Sequence, residues 1–174
     1  MPSIAELLHQ ELETEGTGTR RTLERVPEGR NQWKPHEKSM ELGYLAGLVA
    51  TMPGWIASMV NDPSLDLANP GGYKTQAFSS TRELLAAFDT AMAQGLKALK
   101  GTNDNALLTT RWKLMMKERV LGDDIRYDAI RIGGINHLCH HRAQLGVYLR
   151  LNTEKVPSLY GPSADEQYPG AAAR

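Results

Sequence analysis

A helical apolar period recurs four times along this chain, each time ended by proline or glycine, and that recurrence restricts the fold more than any other feature. Apolar residues at i, i+3, i+4 and i+7 are buried together only when the backbone is an α-helix with one face turned inward. The first such stretch opens with Ser3 and Glu6 at capping-box spacing and carries Ile4, Leu7, Leu8, Leu12, Leu23 and Val26 up to Pro27. Gly16 and Gly18 lie in its middle, where each costs about 1 kcal/mol relative to alanine, so a close helix crossing or a local irregularity is expected there. Glu13, Glu15, Arg20 and Arg21 read as its solvated face.

Residues 27–38 contain Pro27, Gly29 and Pro35 without an apolar period and read as a loop, with Trp33 a packing anchor and His36 at the surface. Ser39 is expected to cap a second helix with Leu42, Leu45, Leu48, Val49, Met52, Ile56 and Met59 on one face. Pro53 removes the hydrogen bond to the Val49 carbonyl and predicts a kink. From Asn61 to Phe78, Pro63, Pro70, Gly71 and Gly72 mark a long connection. Ser80 and Glu83 repeat the capping spacing before a third helix carrying Leu84, Leu85, Phe88, Ala91, Met92, Leu96 and Leu99, with Gly101 as its C-cap.

The stretch from Leu107 to Leu121 mixes strand formers such as Thr109, Thr110, Trp112 and Val120 with Leu114, Met115 and Met116. It predicts a short β-hairpin or an irregular excursion. The fourth helix begins near Ile125 or Tyr127 and runs to Leu151, and Pro157, Gly161, Pro162, Pro169 and Gly170 exclude further helix beyond it. The expected architecture is all-α, a four-helix bundle formed as a single domain over residues 1–174, with long connections.

Composition removes several classes of function. Twenty basic and twenty acidic residues give a formal net charge of zero, so the chain lacks the electrostatic footprint of a nucleic-acid or anionic-membrane partner. A single cysteine forms no intrachain disulfide, and no apolar run is read as reaching the roughly 18 residues that span a bilayer. The opening Met1-Pro-Ser-Ile-Ala lacks a basic and then apolar leader pattern, and a cytoplasmic location is expected.

The chemistry concentrates in the last helix. His137 and His141 are four residues apart, so both imidazoles project from one face, as a helix offers two nitrogen ligands to a metal. Cys139 lies about 200° around the helix from His137 and points elsewhere, while His140 falls on the flank between the two faces. His9 reads as solvated, and Trp55 and Trp112 as packing anchors.

Five segments carry a resemblance: Thr19–Pro27, Trp33–Ser39, Leu45–Trp55 with its Pro-Gly-Trp end, Asn136-His-Leu-Cys-His-His-Arg-Ala-Gln144, and Val156–Glu166 with Tyr160-Gly-Pro-Ser-Ala-Asp165. Together they resemble the DinB/YfiT-like superfamily of small four-helix-bundle proteins. In that family three histidines hold a divalent metal, two from the last helix and one from the second, seven residues before the tryptophan of Pro-Gly-Trp. His137 and His141 match, whereas the second-helix position is Leu48. The resemblance implies a metal-dependent transferase or isomerase that uses a low-molecular-weight thiol, with zinc or nickel as the ion, Leu48, Arg142 and Gln144 lining the site, and a small-molecule substrate. The alternative is a non-catalytic ligand-binding or interaction bundle that has lost its metal. A homodimer is expected in either case, because the apolar faces of the first and third helices and the 112–116 segment exceed what one small core absorbs.

Overall fold

The computed structural model describes residues 1–69 and 77–167; Pro70, Gly71, Gly72, Pro169 and Gly170 lie outside them. Helix α1 (Ile4–Leu23) starts with the capping box the spacing predicts: Glu6 N–H donates to Ser3 Oγ at 3.1 Å and Ser3 N–H donates to Glu6 Oε2 at 2.7 Å. Its buried stripe runs Leu8, Leu12, Glu15, Thr19 and Leu23, so Glu15 belongs to the interior rather than the solvated face, while Leu7 is exposed. His9 also departs from expectation. Its side chain is only 13% exposed and sits 3.4 Å from Glu13.

Helix α2 (Leu42–Thr51) begins two residues later than the Ser39 cap implies. Ser39 is held in a turn by its N–H to the His36 carbonyl, and the loop folds back so that Leu42 N–H reaches Trp33 O and Gly43 N–H reaches Asn31 O. The helix is thus started by backbone partners, with no side-chain cap at Glu41. Pro53 acts as predicted: residues Met52–Gly54 tighten into a 3₁₀ turn, after which α3 (Trp55–Asn61) continues. The segment Leu42–Asn61 is, by length and mean hydropathy of 1.3, apolar enough to cross a membrane, contrary to the sequence reading. Here 61% of its most apolar window is buried inside the protein, as the central core helix.

Helix α4 (Thr81–Lys100) is capped by Ser80 Oγ, which accepts Glu83 N–H; the Glu83 carboxylate turns to Ser79 instead of closing the box. The ambiguous region resolves into a short helix α5 (Asp104–Thr109), capped by Asn103, and a hairpin of β2 (Arg111–Met116) and β3 (Arg119–Ile125). A third strand, β1 (Ser64–Asp66), pairs parallel with β2 to give the order β1-β2-β3. The long connection therefore contains a strand, and the protein is mostly helical with a small sheet rather than all-α. Asp66 ties the sheet together, its Oδ1 accepting N–H groups from Ala68 and Lys117, each at 2.9 Å.

The last helical run starts at α6 (Arg126–Asp128), widens into a π-helical stretch over Ala129–Asn136, and continues as α7 (His137–Leu151). Helix α4 packs on α1, α2 and α3, and α7 packs on α1 and α2. One apolar cluster joins Leu45, Val49, Phe88, Leu138, Leu145 and Leu149; a second joins Leu8, Leu12, Ile56, Leu107, Trp112 and Ile130 beneath the sheet. The helices touch closely at glycines. A Cβ on Gly16 would lie 2.3 Å from Met92 Cε, which is the crossing its position predicts, and one on Gly95 would lie 2.5 Å from the Pro53 carbonyl oxygen.

Met92 can swing aside, whereas the Pro53 carbonyl is backbone. Gly95→Ala should therefore destabilise the fold by about 1–3 kcal/mol, even though alanine is the better helix former by about 1 kcal/mol. Urea unfolding measures this, and Gly101→Ala, where the nearest atoms are 3.6 Å away, serves as the neutral control.

Candidate functional site

Helix α7 brings His137 and His141 together as its i, i+4 geometry dictates, with their Nε2 atoms 2.9 Å apart. His141 Nδ1 is 2.7 Å from Gln144 Oε1; a carbonyl oxygen accepts, so the ring carries its proton on Nδ1 and a lone pair on Nε2. His137 bonds the backbone of Gly133 one turn earlier. With the His141 Nε2 lone pair directed at it, His137 Nε2 stands at hydrogen-bond distance, as the donor of that contact or as a second acceptor sharing a cation. Burial, together with the charges of His141 and His140, pushes His137 below the ordinary histidine range, and burial does the same to His141, so both rings are held neutral.

Two metal–nitrogen bonds of about 2.05 Å would separate their nitrogens by about 2.9 Å at the 90° of an octahedral ion and by about 3.3 Å at the tetrahedral angle of zinc, so the observed 2.9 Å suits the first and the rings would part by a few tenths of an ångström for the second. Among the described residues no group of three His, Cys, Asp or Glu side chains surrounds a common point. His140 is exposed, its ring centroid 4.9 Å from that of His141.

The level of Leu48 follows from how α2 and α7 run. Tyr148 OH donates to the Met40 carbonyl at 3.0 Å at one end, and Trp55 lies 5.9 Å from the His137 ring at the other. The helices are therefore antiparallel, and Leu48, midway between Met40 and Trp55, sits at the height of His141. It is buried in the cluster that includes Leu138 and Leu145, the residues that bracket His141 on α7. Carbon stands where a third donor would approach.

Beside His137 lies a cavity of about 190 Å³. Helix α3 supplies Trp55 and Met59, the sheet supplies Leu65, Trp112 and Leu114, and the π-helical stretch supplies Gly133. The sheet is thus the wall that closes the histidine face, a role its residue pattern did not announce. The wide turn is needed here, since a Cβ on Gly134 would meet Ile56 at 2.9 Å and one on Gly133 would meet Met59 at 3.3 Å.

Arg142 serves a different face. Its guanidinium is 2% exposed, paired with Glu15 Oε2 at 2.6 Å, and donates to Glu15 O at 2.9 Å, Thr19 Oγ1 at 3.2 Å and the Tyr160 hydroxyl. Cys139 Sγ is 3.3 Å from both Glu15 Oε2 and Tyr160 OH. Burial works against the Glu15 charge, but the Tyr160 hydroxyl and the Arg142 cation outweigh it, and its pKa is lowered. Burial raises the Cys139 thiol and the Tyr160 phenol. Sequence reasoning missed Glu15 and Tyr160 as partners of Arg142; the available signal was Glu15's place on the Leu8, Leu12, Thr19, Leu23 stripe.

Tyr160 belongs to a terminal segment clamped onto α1. The Glu166 carboxylate accepts from Arg25, Arg21 and the Ser158 N–H, and these partners, Arg25 first, hold its pKa down to about 2. A depressed carboxylate stabilises the fold above its ordinary value of 4.5 and loses that contribution as pH falls toward about 2. Glu166→Gln should therefore be less stable than wild type at pH 7, and thermal unfolding of the two should converge between pH 4.5 and pH 2.

A scan against protein-family models matches none, and no curated protein matches the sequence significantly. Solved structures do match. A DinB-like protein from Bacillus subtilis, YjoA, superposes with a TM-score of 0.68 at 15% identity, covering 92% of this chain and 99% of that one. A DinB-like protein from Bacillus cereus superposes at 0.64 with 19% identity, covering 91% and 98%. At these identities the likeness is one of backbone architecture over nearly the whole of each chain, and in its fold this chain is DinB-like.

Proposed function

We propose that this is a small-molecule-binding protein, a four-helix bundle of the DinB-like kind, in which His137 and His141 hold a divalent ion, zinc or nickel, in an open two-imidazole site. The observation that carries the reading is the pair of Nε2 atoms 2.9 Å apart, with His141 oriented through Nδ1 by Gln144 and His137 bonded to the Gly133 backbone. A cation in place of the proton between them would take both nitrogens as ligands. Bound there, the ion supplies a Lewis acid that lowers the pKa of a low-molecular-weight thiol, the chemistry of the transferases and isomerases the sequence resembles.

The chain's own contributions are positional. Gln144 and Gly133 fix the rings, Leu48 keeps one flank apolar and dry, and the adjacent cavity receives the apolar part of a substrate. Arg142 holds α7 in place through Glu15 and takes no substrate in this reading. The second reading, a bundle that binds ligands without catalysis, is favoured by Leu48, which leaves the ion two imidazoles instead of three. Both readings place the protein in the cytoplasm.

Calorimetric titration with zinc or nickel at neutral pH tests the ion. Wild type should bind, the His137→Ala/His141→Ala double variant should lose binding with its helicity intact, and Leu48→His should bind at least tenfold more tightly. Undiminished binding in the double variant refutes the site.

The homodimer is retained, on a different surface. The apolar faces of α1 and α4 are used within the core, while Met116, Val120, Leu121 and Ile132 stand exposed on the hairpin and the π-helical stretch. Sedimentation at micromolar concentration should give twice the mass of one chain, and Val120→Lys/Leu121→Lys should return the monomer; a monomeric wild type refutes the dimer.

A further inference from the structure

The cavity beside His137 carries more chemical information than its proximity to the histidines. Its described lining contains no Asp, Glu, Lys or Arg, and apart from His137 it is aliphatic and aromatic, with Trp55 and Trp112 as two broad faces. A charged ligand would lose its hydration there without gaining a counter-charge. The size is also selective: cavities of about 150 Å³ accept benzene, and this one measures about 190 Å³.

One wall residue is polar and unmatched. Trp112 is 6% exposed, and its indole N–H has no hydrogen-bond partner among the described residues. That N–H is sealed from the cavity, with under 1 Å² of accessible surface, so the indole meets a ligand with its apolar ring. Strand β2 fixes that indole, since Trp112 is held in register opposite Asp124 of β3.

We infer that the cavity is the seat of a neutral, flat ligand of about six to ten non-hydrogen atoms, aromatic or alicyclic, that stacks among Trp55, Trp112 and the aliphatic walls. The inference rests on the reading of this face as a ligand site, and it needs no ion at His137 and His141.

Acetophenone, ethylbenzene and benzoate have this size and differ in the features at issue. Titrating each into the full chain while recording the nuclear magnetic resonance spectrum gives the affinity and resolves the indole N–H signals. Acetophenone and ethylbenzene should both bind and move the Trp112 indole proton through the ring current of the bound ligand, and benzoate should bind at least tenfold more weakly. Filling the cavity by Leu114→Trp, or from the helix side by Gly133→Leu, should abolish binding of both neutral probes. Chelation of divalent ions should change none of this, so a failure of the ion and a failure of the cavity are read separately. Benzoate as tight as acetophenone, an unmoved Trp112 indole, or equal acetophenone affinity in wild type and either filled variant overturns the inference.

Discussion

The buried pair of Arg142 and Glu15 sets the rotation of α7, and the arrangement of the site follows from that rotation. A guanidinium almost wholly removed from water must keep its counter-charge, and breaking such a pair typically costs about 3–5 kcal/mol. Arg142 meets Glu15 and Thr19 of α1 and Tyr160 of the terminal segment, so α7 cannot turn about its axis without orphaning the charge. With Arg142 fixed toward α1 and Leu138 and Leu145 fixed in the core, the remaining arc of α7 carries His137 and His141 toward α2 and α3.

The space in front of the histidines comes from irregular backbone on two facing elements. Pro53 interrupts the α2–α3 run with a 3₁₀ turn, and the last helix widens over Ala129–Asn136 where Gly133 and Gly134 admit Met59 and Ile56. Both departures cost regular helical hydrogen bonding, and the sheet then closes the gap they open with Trp112 and Leu114. Pro53 is itself braced by the close approach of Gly95, so α4 is part of the same construction.

The long helices, the Pro53 turn, the Ser3 box and the histidine pair were legible in the sequence because each depends on neighbours within a turn or two. What the sequence hid is made by partners far apart in the chain. Strand β1 is three residues long, too short for a period, and exists because β2 lies beside it. Ser39 has the composition of a cap but is held in a turn whose bonds start the helix at Leu42. Glu15 reads as solvated only while Arg142 and Tyr160, more than a hundred residues away, are left out of account.

The two faces of α7 divide its chemistry. Cys139 has a nucleophilic atom, yet burial and the neighbouring Glu15 carboxylate keep its thiol protonated, and its contacts are with the structural cluster. A thiolate nucleophile has to be low in pKa, and the half-buried Cys139 is raised. On the opposite face the two imidazoles meet through their Nε2 atoms, and His137 borders an apolar cavity. The thiol of this helix therefore belongs to its structural face, and the histidines to the face beside the cavity.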